Sequence, residues 1–134
     1  MTPEAEDLDP RVVLPKAPAA NPYARTRTSG PFTVVVACGE IDIATAHLLA
    51  EHLDAATSGP EPDVLVDLRS VGFFDCSGLR VLCRADSRAR ERGGRLRLVC
   101  DEPRLLRLLR VGGLLGRFPP LPGLPRDGQP GKRP

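Results

Sequence analysis

The sequence predicts an α/β fold in which helices pack against a mixed sheet of four to five strands. Two observations lead there. β-branched apolar runs at residues 32–38 and 63–68 alternate with segments whose apolar residues recur at helical spacing, at 46–56 and 78–89. Proline supplies a third, because eleven of the 15 prolines lie in residues 1–22 and 119–134. Proline fixes φ and removes a backbone donor, so those ends cannot join a sheet or helix interior. The chain therefore divides into a disordered tail (1–22), one domain (23–118) and a Pro-rich disordered tail (119–134). A centre of about 95 residues suffices for one two-layer core.

Each element has a local cause. Residues 23–28 form a weak strand, and Ser29-Gly30-Pro31 supplies a hairpin turn. The run 32–38 is a central strand stopped by Gly39. Thr45 can cap a helix whose apolar face is Ala46, Leu49, Ala50, Leu53 and Ala56, ended by Ser58-Gly59-Pro60. Residues 63–68 are apolar enough for a strand covered on both faces. A loop leads to a helix over 77–92 with Gly78, Val81, Leu82, Ala85 and Ala89 inward, closed by Gly93-Gly94. Residues 95–100 alternate as a strand, and Asp101 caps a third helix with Pro103 in its first turn. Residues 114–118 supply a last edge strand.

Composition excludes several functions. No apolar run approaches the roughly 18–20 residues of a membrane span, and Glu4, Glu6, Asp7 and Asp9 replace the apolar stretch of a signal peptide. The four cysteines lack C-x-x-C spacing and paired histidines, so they read as small buried residues of a reducing, cytoplasmic compartment, with no metal and no cofactor. Residues 23–76 carry three arginines against eight acids, and residues 77–118 carry eleven against four. A basic half can bind nucleic acid. With no Trp, one Tyr and four Phe, the stacking platforms for it are absent. His47 and His52, five apart, suit surface or packing roles, and no spacing builds a catalytic triad around Cys76 or Ser77. Arg80, Arg84 and Arg88 make a stripe that reads as a solvated face or a contact for an acidic partner.

Chemistry concentrates at Phe73-Phe74-Asp75-Cys76-Ser77-Gly78-Leu79, where a strand hands over to a helix. Ser77 lies at the first turn, where unpaired N–H groups and the helix dipole favour an anion. Gly78 leaves its hydroxyl approachable, and Asp75 can cap the helix or orient that hydroxyl. Cys76 reads as packing or as a thiol activated by the helix N-terminus.

This segment resembles the phosphoacceptor motif of bacterial anti-sigma factor antagonists, the STAS-domain family. Three further segments resemble that family in the same order: Gly39-Glu40-Ile41-Asp42 before the first helix, Gly93-Gly94 with the strand after it, and Val111-Gly112-Gly113-Leu114. The resemblance spans about 32–118. It implies a single STAS-like domain, monomeric and not an enzyme. Ser77 is then the serine phosphorylated by an anti-sigma factor with serine kinase activity. Glu40, Asp42, Asp75, Cys76 and Gly78 belong to the docking surface around it. The unphosphorylated form binds the anti-sigma factor and frees the sigma factor. Phosphorylation ends that binding and a phosphatase restores it. The other reading is a STAS-like interaction or ligand-binding module that is not phosphorylated, with Ser77 only a cap. One departure stands out: where the family has a further amphipathic helix, this chain has Pro119-Pro120-Leu121-Pro122-Gly123-Leu124-Pro125. The sheet face that helix covers is then exposed, or covered by Leu121 and Leu124.

Overall fold

The computed structural model describes residues 17–125. Its elements are β1 (Ala24–Ser29), β2 (Phe32–Ile41), α1 (Ala46–Ala56), β3 (Asp63–Phe74), α2 (Cys76–Glu91), β4 (Arg95–Val99) and α3 (Pro103–Val111). The sheet runs β1-β2-β3-β4. β1 and β2 are antiparallel and meet across the two-residue loop Gly30-Pro31, since Ser29 pairs with Phe32. β2–β3 and β3–β4 are parallel, with α1 and α2 as the crossovers. This is the mixed four-stranded α/β domain that the alternation of patterns predicts.

Side-chain alternation along the strands separates two apolar surfaces. Val35, Ala37, Val64, Val66, Leu68, Leu96 and Leu98 face one side, where Leu49 and Leu53 of α1, Leu82 and Ala85 of α2, and Leu105 and Leu109 of α3 close the main core. Phe32, Val34, Val36, Leu65 and Val99 face the other, and Leu121 and Leu124 pack against them. Leu121 is also tied to the edge of β4. Its N–H donates to the Leu98 carbonyl (2.9 Å) and its carbonyl accepts from the Cys100 N–H (2.9 Å). Prolines at 120 and 122 remove the neighbouring donors, so the contact stays an isolated bridge.

Several boundaries differ from the sequence expectation. β2 continues through Gly39 to Ile41, and β3 continues past Leu68 to Phe74, because Cys38–Ile41 pair with Ser70–Phe74. Gly39 adopts φ +76° beside a register shift, so the residue expected to stop the strand instead allows a bulge that carries it on. Residues 114–118 form turns rather than a fifth strand, with Phe118 N–H donating to Leu114 O (2.8 Å) and the Phe118 ring buried. The expected tails lie mostly outside the described residues.

Two caps also move. Thr45 makes no side-chain capping bond to α1. Glu102, not Asp101, caps α3, its carboxylate accepting from the Arg104 N–H at 3.3 Å. His52 is fully buried and packs as a satisfied polar residue: Nδ1 lies 2.7 Å from Thr26 Oγ1 and Nε2 lies 3.2 Å from the Ala19 carbonyl. His47 is exposed.

Candidate partner-binding site

Parallel pairing of β2 with β3 brings two loops together at the carboxyl ends of the central strands. Glu40 pairs with Phe73 and Ile41 with Phe74, and the Asp75 N–H donates to the Ile41 carbonyl at 3.2 Å. The two loop segments come from different motifs yet share this one end of the sheet.

 Side by side in space, the segment 39–46 and the segment 73–79 form one surface around the start of α2.

Asp75 is the N-cap of α2. Its Oδ1 accepts from the Ser77 N–H at 2.8 Å, so the carboxylate holds the backbone and not the Ser77 hydroxyl. Ser77 is half-buried, and its hydroxyl makes no hydrogen bond to any described residue. Gly78 is buried because Phe74 lies directly over it: a Cβ there would fall 2.5 Å from Phe74 Cζ. Only a residue without a side chain lets the first turn of α2 settle onto the end of β3. Asp42 folds back on its own loop, its Oδ1 accepting from the Ala44 N–H (2.9 Å), the Thr45 N–H (3.1 Å) and the Thr45 hydroxyl (3.2 Å). The Thr45 hydroxyl also lies 2.7 Å from the Glu40 carbonyl, locking the turn. The Glu40 side chain is exposed.

The expectation of four buried cysteines holds for Cys100 alone, whose thiol burial pushes up. Cys38 and Cys83 are half-buried. Cys76 is exposed because the first position of α2 projects beyond the end of the sheet. The arginine stripe also splits. Arg80 and Arg84 are exposed, whereas Arg88 ties α2 to α1 through Thr57 Oγ1 (3.2 Å) and the Asp54 carbonyl (3.4 Å).

Sequence reading passed over Phe73 and Ile43, which are 52% and 85% exposed on either side of the Ser77 surface. Both side chains stand in water at the end of the sheet that carries Ser77. The available signal was the run Val71-Gly72-Phe73-Phe74, more apolar than a loop requires. Among the described residues no group of three or more His, Cys, Asp or Glu could hold a metal ion, and no helix is long and apolar enough to cross a membrane.

The family model "Mlab, STAS domain" matches residues 24–122, which includes every strand and helix of the fold. The chain belongs to the STAS-domain family. A Mycobacterium tuberculosis relative named as an anti-anti-sigma factor is 34% identical over 119 residues, covering 86% of this chain and 80% of the relative. The crystal structure of an anti-sigma factor antagonist from Mycobacterium paratuberculosis superposes on this STAS domain with a TM-score of 0.70 at 27% identity, covering 79% of this chain and 92% of that one. An anti-sigma-factor antagonist domain protein from Planctomyces limnophilus gives a TM-score of 0.61 at 25% identity, covering 71% and 86%.

Proposed function

We propose that this STAS domain is an anti-sigma factor antagonist, switched off by phosphorylation of Ser77. One observation carries the reading: the Ser77 hydroxyl is without a partner among the described residues, at the first turn of a helix whose cap is already supplied by Asp75. The names of the relatives support the general role. In this reading the unphosphorylated surface of Ser77, Glu40, Asp42, Asp75, Cys76 and Gly78 binds an anti-sigma factor with serine kinase activity and so frees a sigma factor. The chain is the kinase's substrate and not an enzyme, it acts as a cytoplasmic monomer, and a phosphatase resets it.

The physical switch is electrostatic. A phosphoryl group brings roughly −1.5 to −2 charges to a surface that already holds Asp42 and Asp75. Inside an interface that charge is desolvated and repelled. Weakening a complex a hundredfold requires only about 2.7 kcal/mol. In the second reading, a STAS-like interaction or ligand-binding module that is never phosphorylated, Ser77 is only a cap; the Asp75 cap of α2 favours the first reading over it.

Incubation of the protein with a purified anti-sigma factor kinase and labelled ATP tests the assignment. Label is expected on the wild type and not on Ser77→Ala. Equal labelling of the two proteins would rule Ser77 out.

A further inference from the structure

A groove of about 310 Å³ lies between the end of β3 and α3, walled by Val71, Phe73, Phe74, Leu105 and Leu108, with Arg104 beside them. Its volume is at the bottom of the range for small-molecule sites, which suits side chains of a partner better than a nucleotide-sized ligand. One large exposed apolar side chain lines it and another lies beyond it along α3. Phe73 forms part of its wall, and Val111, 79% exposed, continues the i, i+4, i+7 stripe Arg104, Leu108, Val111 along α3. Glu102, also on the groove, is engaged as the cap of α3. The exposed arginines of α3, Arg104, Arg107 and Arg110, have no ion pair among the described residues, so this helix presents uncompensated positive charge beside an apolar slot.

We infer that this groove is a second contact area for the protein partner, receiving the apolar ridge of an amphipathic helix whose flank is acidic. Helices dock into such grooves through apolar anchors spaced three and four residues apart. Carboxylates beside those anchors would meet Arg104 and Arg107 and fix the register. The groove begins at Phe73, four residues before Ser77, so one partner can cover both areas. The inference rests on the antagonist reading, and it adds a surface that phosphorylation of Ser77 does not touch.

The experiment measures affinity of the full chain for each purified anti-sigma factor of the source genome in turn. Wild type, Ser77→Asp, and the double variant Arg104→Glu/Val111→Asp are compared, with thermal melts to confirm that these surface changes leave the fold intact. The double variant is expected to bind at least tenfold more weakly, and hydrogen exchange in the wild-type complex is expected to slow across residues 105–111. If wild type binds none of the anti-sigma factors, the antagonist reading fails and takes this inference with it. If wild type binds, Ser77→Asp releases, and the double variant binds within twofold of wild type, the reading stands and the groove inference is overturned. A double variant that loses only self-association, with unchanged anti-sigma affinity, overturns it as well.

Discussion

Arg117 Nε lies 2.7 Å from Oδ2 of Asp86, a residue 1% exposed on the inner side of α2. Arg90 reaches the same oxygen at 3.1 Å, and the Arg117 guanidinium also donates to the Cys83 carbonyl and to Ser87 Oγ, each at 3.0 Å. The turn after α3 is thereby pinned to α2, which sets Phe118 into the core.

Arg117→Ala should therefore destabilise the domain by about 1–3 kcal/mol, because it removes a charge-assisted bond from a buried carboxylate. Asp86 keeps Arg90, which limits the loss. The double change Asp86→Leu/Arg117→Met should be milder than the single change, since no buried charge is left unpaired. Urea denaturation of the three proteins checks this order.

Gly78→Ala should cost about 1–3 kcal/mol through overpacking against the Phe74 ring. The added Cβ cannot keep its position 2.5 Å from Cζ, so either the ring or the start of α2 must shift. Phe74→Leu in the same chain should recover part of the loss. Thermal unfolding of single and double variants measures the recovery.

Asp67 predicts a pH dependence. Burial pushes its carboxyl up, but hydrogen bonds from the Arg69 side chain and backbone, together with the charges of Arg69 and Arg27, outweigh that and hold it below 3.8. A lowered folded value means stability that is fully present above the unfolded carboxylate range and is lost as pH falls through the folded value, below 3.8. Asp67→Asn should flatten that part of the stability curve. Denaturation midpoints from pH 6 to pH 2, a window of about four pH units around this range, would show it.

Leu121 predicts what the proline-rich segment contributes. Leu121→Ala should cost about 1 kcal/mol, since a half-buried leucine gives up only part of its apolar contact. Leu121→Pro should cost more, because it also deletes the donor to the Leu98 carbonyl. Chemical denaturation of the two variants separates the apolar contact from the hydrogen bond.

The site was legible where its chemistry is local. Asp75 before a helical pattern, Ser77 at its first turn and Gly78 beside it are neighbours in sequence, so their placement at the start of α2 follows from spacing, while the structure decides that Asp75 caps the helix rather than orienting the Ser77 hydroxyl. The extension of β3 was not legible. Arg69-Ser70-Val71-Gly72 reads as loop, and becomes strand only because Cys38–Ile41 supply its hydrogen bonds. Asp86 was hidden for a related reason. An acid one step from the Leu82 and Ala85 stripe reads as a helix edge until Arg117 arrives from 31 residues away.

By itself the sequence determined the alternation of strands and helices, most of the apolar face of each helix and the position of Ser77 at a strand-to-helix junction. These depend on periodicity and capping, which act within a few residues. The tertiary structure alone decided the register that joins the 39–46 and 73–79 segments, the pinning of Arg117, and the cover of the second sheet face by Leu121 and Leu124. Those contacts form between residues far apart in the chain, so they depend on where the backbone returns and not on any local pattern.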